Sequence, residues 1–246
     1  MQLSKYPRVK LIHSPTPLEH LENLTKKLGG PEIYIKRDDC TGLAFGGNKS
    51  RKLEFLIGDA LDKNADVVIT AGAVQSNHCR QTAAAATKFG LKCIIVARPS
   101  WSKDYNGNIF LDELLGAELV LIDEDGEALD KGGRLSMDDT INNIMQDLKD
   151  KGKNPYFIPV GGSNHIGSLG YISMTMEMIS QANDMGIEIG SMVAASGSGG
   201  TQTGMILGAD VEKSGIDAVG MGISSDASVV IPKLKDLCNE TSKYYD

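Results

Sequence analysis

The chain has 246 residues, 41% hydrophobic and 23% charged, an ordinary globular composition with apolar material for one large domain or two small ones. A net charge of −7 and a pI near 5.2 argue against nucleic acid or an anionic membrane surface as partner, although a local basic patch can still receive an anionic substrate. Four scattered cysteines (Cys40, Cys79, Cys93, Cys238) make neither a C-x-x-C pair nor a metal-ligand spacing, and no signal-like core or run of about 18 apolar residues occurs, so a cytoplasmic protein with reduced thiols and no metal is expected.

Along the chain, Pro15-Thr16-Pro17 is extended, and Leu18, Leu21, Leu24 and Leu28 predict a helix over 18–28 that ends at Gly29-Gly30. A strand over 32–36 leads into a polar, glycine-rich stretch. After Asn48 the residues Leu53, Leu56, Ile57, Ala60 and Leu61 recur at helical spacing, so a helix begins there with Asn48 as its cap. The pattern then alternates: strand 66–70, an alanine-rich helix 77–89, strand 93–97, a helix around 109–115, strand 118–122, a polar helix within 128–151 and strand 156–160. A helix over 167–182 carries Met174, Met176 and Met178 as core filler, segments 192–195, 201–209 and 218–223 continue the pattern, and a last helix runs from about 230 to 241. Residues 100–107 and 123–133 read as polar loops. Short apolar strands alternating with helices mean an α/β fold, its parallel sheet covered on both faces and its ligands beyond the carboxyl ends of the strands.

The helix after Asn48 opens with Lys49-Ser50-Arg51-Lys52, the wrong charge for its place. A helix N-terminus carries roughly +0.5 of an elementary charge, and exposed cations there cost about 0.3–1 kcal/mol each. Crowded cations disfavour the ammonium form of a lysine, and the neutral amine is the form that attacks a carbonyl. The same cluster welcomes a phosphate; the bland alternative is a solvated basic patch. In a second turn, Gly72-Ala73-Val74-Gln75-Ser76-Asn77-His78, Ser76 suits a helix cap, but Gln75, Asn77 and His78 add polar groups that a cap does not need. A third, Ser196-Gly197-Ser198-Gly199-Gly200-Thr201-Gln202-Thr203-Gly204, has glycines that let backbone N–H groups close around a phosphate. No lysine follows Gly204, and Gln202 replaces the third glycine of G-x-G-x-x-G, so a nucleotide-binding dehydrogenase is a poor second reading.

Lys36-Arg37-Asp38-Asp39, the run Gly46-Gly47-Asn48-Lys49-Ser50-Arg51-Lys52-Leu53-Glu54-Phe55, the Gln75-Ser76-Asn77-His78 turn and the glycine loop resemble, in this order, one family. It is that of the fold-type II pyridoxal-phosphate enzymes, which include D-cysteine desulfhydrase, 1-aminocyclopropane-1-carboxylate deaminase and L-cysteate sulfo-lyase. The resemblance implies two parallel-sheet domains of the tryptophan synthase β-like architecture: a larger cofactor-binding domain from 1–48 and 161–246, and a smaller α/β domain over 49–160, with Lys49 at the hinge. It implies pyridoxal 5'-phosphate as cofactor, Lys49 as its anchor and as the base that takes the α-proton, and Ser76 as a second catalytic candidate. Lys52 would reach the phosphate, with Gly197, Ser198, Gly199, Gly200 and Thr201 as its cup. Asn77 would bond the cofactor's 3-hydroxyl, while Ser76, Asn77 and His78 face the substrate.

His78 stands where the cyclopropane deaminases carry Gln and the other two branches carry His. The implied reaction is α,β-elimination from a β-substituted alanine, first D-cysteine to pyruvate, hydrogen sulfide and ammonia. L-cysteate with release of sulfite comes next, then the cyclopropane amino acid, then a truncated cofactor-binding protein without catalysis. A homodimer acting on a small amino acid in the cytoplasm is expected, with neither nucleic acid nor membrane as partner. His13, His20 and His165 read as structural or solvated, although His165 follows Gly161-Gly162-Ser163-Asn164 and stands near the pocket. The likeness spans residues 4 to about 223. Beyond that the family supplies a tyrosine beside the substrate and a partner for the pyridine nitrogen. Tyr244, Tyr245 and Asp246 do not sit in the corresponding motif, so the chain reads as truncated or as a shortened relative.

Overall fold

The computed structural model describes residues 1–98, 105–122, 136–223 and 225–245; the loops expected at 100–107 and 123–133 lie largely or wholly outside these, as does Asp246. Leu18–His20 (β1) and Tyr34–Lys36 (β2) pair antiparallel, Leu18 opposite Lys36, and enclose the short helix Glu22–Leu28 (α1), which closes on Gly29 at φ 62°. The helix expected over 18–28 is therefore shorter, because residues 18–20 are drawn into a ladder with β2. Its leucine stripe faces solvent at Leu24 and Leu28 rather than a core.

Lys49–Asp62 (α2) is the central helix. Every residue from Ser50 to Ala60 is buried, and the helix packs against both Asn77–Lys88 (α3) and a long helix described below. Val67–Ala73 (β3), Lys92–Arg98 (β4), Glu118–Leu121 (β5) and Pro155–Ile158 (β6) form a parallel sheet in the order β5-β4-β3-β6. β3 runs three residues past the expected strand, because β4 pairs with it as far as Ala73 opposite Arg98. Gly107–Leu114 (α4) and Met137–Asp150 (α5) are the other helices of this part.

Alternation along β3 and β4 sorts the core by face. Val68 and Ile95 join Leu53, Leu56, Ala83 and Ala86 of α2 and α3, whereas Val67, Ile69, Ile94 and Val96 meet Ile141 of α5. This sheet is covered on both faces, as a parallel sheet requires.

His165–Met185 (α6) starts with Asn164, whose side chain accepts from the Gly167 N–H, and ends at Gly186 in the left-handed conformation. Ser191–Ser196 (β7), Gly200–Val211 (α7) and Asp217–Gly222 (β8) follow, with β7 and β8 parallel, and Ala227–Tyr245 (α8) closes the described chain. Met174 and Met178 of α6 fill a core with Met192 and Met205, the filler role expected of them. Cover on both faces does not extend to the β7–β8 pair. Met192, Ala194 and Ala218 pack toward α6 and α7, while Val193, Val219 and Met221 are exposed among the described residues.

Candidate active site

The basic first turn of α2 is not a solvated patch, since Arg51 and Lys52 are each only 1% exposed. The three cations divide by direction. Arg51, two residues from Lys49 and so on the far side of the helix, enters a buried ion network: Nε and Nη2 donate to Asp38 Oδ2 (2.8 Å) and Oδ1 (2.9 Å), and Nη2 and Nη1 to Glu177 Oε1 (2.9 Å) and Oε2 (3.2 Å). Lys36 Nζ reaches the same Glu177 at 2.5 Å, and Tyr171 donates to Asp38 at 2.7 Å. Burial works against the Arg51 charge, but its bonds to Glu177 and Asp38 outweigh this and hold it as a cation. Two cations and two carboxylates thus balance, the charged partners coming from β2, the loop after it and α6, with Thr16 ahead of β1 accepting from Arg51 Nη2 at 2.9 Å.

Asn48 is not the cap expected of it. Its backbone is already helical, at φ −59° and ψ −24°, and its amide donates to Thr201 Oγ1 at 3.3 Å in the first turn of α7. The capping comes from α3 instead: Gln81 Oε1 accepts from both the Ser50 N–H and the Ser50 hydroxyl, each at 2.8 Å.

Lys49 and Lys52 face the other way. Among the described residues neither has a carboxylate partner, and Lys49 Nζ makes no hydrogen bond. Burial lowers the pKa of Lys49; burial, and then the Lys49 charge, lowers that of Lys52 well below the usual amine range. Crowding of cations, the cause expected for Lys49, therefore acts on Lys52 and only after burial.

Lys52 Nζ donates to the Gly161 carbonyl (3.1 Å) and Ser163 Oγ (3.3 Å). Ser163 Oγ lies 2.7 Å from Ser198 Oγ and accepts from the Gly200 N–H at 3.2 Å. A side chain at Gly161 would overlap Ser198 Oγ, and its Cβ would stand 3.6 Å from Lys49 Nζ. At Gly200 a Cβ would lie 2.7 Å from Ser163 Oγ and 3.0 Å from Lys52 Nζ. Two amines, two hydroxyls and the N-terminus of α7 therefore converge on one spot. A buried lysine without a carboxylate partner, beside two hydroxyls and a helix N-terminus, fits a dianionic phosphate, whose charge would favour the ammonium form, and a half-buried amine with its pKa lowered by burial fits an aldehyde.

Of the expected residues, the fold brings Lys49, Lys52, Ser198 and Gly200 to this spot, with Gly197, Gly199 and Thr201 in the same turn. Ser163 was missed. Its signal was a second glycine-bearing turn between strand and helix, 161–164, noted only for the histidine after it.

The other group stands at the head of α3. Ser76 does cap this helix, its Oγ accepting from the N–H groups of His78 (3.2 Å) and Cys79 (3.4 Å). Asn77 is exposed and accepts at Oδ1 from Asn108. His78 is 2% exposed, with Nε2 2.8 Å from Thr70 Oγ1. Because the Thr70 hydroxyl donates to the Ile158 carbonyl, His78 must carry its proton on Nε2 and present a bare Nδ1. Burial, then the charges of Lys49 and Lys52, push its pKa down to about 3, so the ring is neutral. Tyr244 packs on Tyr6 and His165, with ring centroids 5.3 and 4.7 Å away, as an aromatic clasp at the end of α8.

Comparison with known proteins decides the family. The sequence profile described as "Pyridoxal-phosphate dependent enzyme" matches residues 9–235. The chain belongs to that family. A protein of Pyrococcus horikoshii provisionally named 1-aminocyclopropane-1-carboxylate deaminase is 42% identical over 242 residues, covering 98% of this chain and 70% of that one. The D-cysteine desulfhydrase of Klebsiella pneumoniae (strain 342) is 43% identical over 240 residues, covering 94% and 69%. The crystal structure of an ACC deaminase homologue superposes with a TM-score of 0.87 at 41% identity over 98% of this chain and 70% of that one. The architecture is that of the fold-type II enzymes and the cofactor of the family is pyridoxal 5'-phosphate, as the resemblance implied.

Proposed function

We propose that this chain is a pyridoxal-phosphate-dependent lyase that eliminates the β-substituent of a small amino acid, with D-cysteine giving pyruvate, hydrogen sulfide and ammonia as its first reaction. The observation that carries this reading is the Lys49 amine: half-buried, without a carboxylate partner and held toward its neutral form, beside a cup built for phosphate. When bound, the cofactor supplies an electron sink for the carbon that loses its proton. The residues do the rest. Lys52, Ser163, Ser198 and the Gly200 N–H hold the phosphate, with Gly197, Gly199 and Thr201 closing the turn around it. Lys49 would anchor the cofactor's aldehyde and, as a free amine with its pKa lowered by burial, would take the α-proton of the substrate. Ser76 and Asn77 present polar groups at the head of α3, and His78 takes part as a neutral ring, since burial denies it a charge to offer a carboxylate.

The same reading divides the chain into 1–48 with 161–246 and 49–160. It is supported by the four-stranded sheet, all of whose strands lie between Val67 and Ile158. A cytoplasmic homodimer is part of the proposal; no described helix is long and apolar enough to cross a membrane.

Relatives named for D-cysteine and for the cyclopropane amino acid match at similar identity, 43% and 42%, so the cyclopropane deaminase is the second reading. His78 in place of Gln favours the first. Purified protein given pyridoxal 5'-phosphate is expected to release sulfide from D-cysteine with a higher kcat/KM than it shows for sulfite from L-cysteate. Release of 2-oxobutanoate from the cyclopropane substrate as the main activity would reverse the order.

A further inference from the structure

The head of α3 is fastened to the first turn of α4 by hydrogen bonds that leave one carboxamide no choice of direction. Asn108 accepts at Oδ1 from Arg80 Nη1 (2.9 Å) and donates from Nδ2 to the Gln75 carbonyl (2.8 Å) and to Asn77 Oδ1 (3.0 Å). Arginine has no acceptor and a backbone carbonyl has no donor, so these two contacts alone decide which end of Asn108 is oxygen. Both its N–H bonds are then spoken for, and turning the amide over would break all three contacts. The Gln75 side chain locks the two turns further, accepting from the Asn108 N–H and donating to the Asn106 carbonyl, both at 2.9 Å. Arg80 is itself held: it is 9% exposed, and its Nη2 donates to the Gly46 carbonyl at 2.9 Å, in the loop that leads to Lys49.

The consequence falls on Asn77. Its oxygen is engaged by a donor that cannot turn, which fixes the orientation of the amide and leaves its N–H pair, without a partner among the described residues, on the side open to a ligand. We propose that Arg80 and Asn108 are positioning residues that fix Asn77 as a hydrogen-bond donor toward a ligand oxygen, through a chain of contacts whose direction is set by the arginine cation. Through Gly46 the same arginine ties this donor to the loop that carries Lys49. The identity of the oxygen, the cofactor's 3-hydroxyl, rests on the functional reading above; the direction of the chain rests on the contacts alone.

Asn108→Asp tests the direction. An aspartate keeps the acceptor for Arg80 and suits the first turn of a helix, but it turns an oxygen toward both the Gln75 carbonyl, losing that bond, and Asn77, which must then flip and present its own oxygen to the ligand. Apo-protein is titrated with pyridoxal 5'-phosphate and with its 3-deoxy analogue, and the ratio of the two dissociation constants is read. The unchanged protein is expected to prefer the parent cofactor by about tenfold, the weight of one charge-assisted hydrogen bond. Asn77→Ala and Asn108→Asp are both expected to lose that preference, and Asn108→Ala, which removes the donor without offering an oxygen, to lose less of it than Asn108→Asp. If Asn77→Ala keeps the full preference, the assignment of Asn77 to the 3-hydroxyl is wrong and the inference goes with it. If Asn77→Ala loses it while Asn108→Asp keeps it, or weakens both ligands equally, the assignment stands and the relay is overturned.

Discussion

Two buried ionisable side chains near the site respond to pH with opposite sign. Asp112 of α4 is buried with Oδ1 unpartnered, and burial, opposed only in part by Arg80, pushes its pKa from 3.8 up to about 7. The folded state then binds a proton that the unfolded chain releases, so this group makes stability fall as pH rises from 3.8 to about 7, with no further loss above. Asp112→Asn should therefore raise the melting temperature more at about pH 8 than at about pH 4, and an equal shift at both would show that Asp112 is not a buried acid. His78 refuses its proton when folded, so its contribution is present above the ordinary 6.5 and lost as pH falls toward about 3. His78→Gln should make the acid side of the melting profile shallower, and an unaltered profile would contradict the neutral buried ring. At the cup, Gly200→Ala places a methyl 2.7 Å from Ser163 Oγ and 3.0 Å from Lys52 Nζ. Crowding of this kind costs about 1–3 kcal/mol, enough to weaken cofactor binding about tenfold in a titration of apo-protein. Unchanged affinity would remove this turn from the phosphate site.

At the scale of the element, α2 is aimed by its back. Arg51 sits between Asp38 and Glu177 while Lys49 and Lys52 of the same turn look toward α7, so the ion network sets the rotation of the helix and thereby the direction of both amines. Arg51→Ala leaves two carboxylates facing one lysine in a closed space and should destabilise the fold by about 3–5 kcal/mol, measurable by denaturant titration. A loss under about 1 kcal/mol would mean that the network is solvated and does not orient α2. The presence of α2 was legible because Leu53, Leu56 and Ile57 keep a helical period, and the oddity of its first turn was legible because charge at a helix N-terminus has a known sign. The division of labour among its cations was not. Arg51, Lys49 and Lys52 are alike in the sequence, and only the positions of Asp38 and Glu177, brought in from residues 13 and 126 positions away, tell them apart. The same limit explains Asn48 and Ser163. A local rule made Asn48 a cap, while the Gln81 that supplies the capping comes from the next helix, and Ser163 entered the site only when β6 and β7 placed their following turns side by side. Residues 18–20 were misread because four leucines at helical spacing carry no sign of the β2 ladder that claims them.

For the whole molecule, the account joins a parallel α/β scaffold to one chemical centre. The turns after β3, β6 and β7 and the loop after β2 all deliver their polar residues to the start of α2 or the head of α3, which is why three motifs far apart in the chain were readable as one site. The chain matches 98% of its own length to relatives of which it spans 70%, and the Lys49 cup lies wholly within the matched part. The central claim is that Lys49 alone anchors the cofactor. Purified protein is incubated with pyridoxal 5'-phosphate, reduced with borohydride, digested and mapped by mass spectrometry. The account predicts the reduced cofactor on the peptide containing Lys49, and its loss in Lys49→Ala protein whose circular dichroism is unchanged. Label on Lys52 or spread over surface lysines, or label that persists after Lys49→Ala, would contradict it.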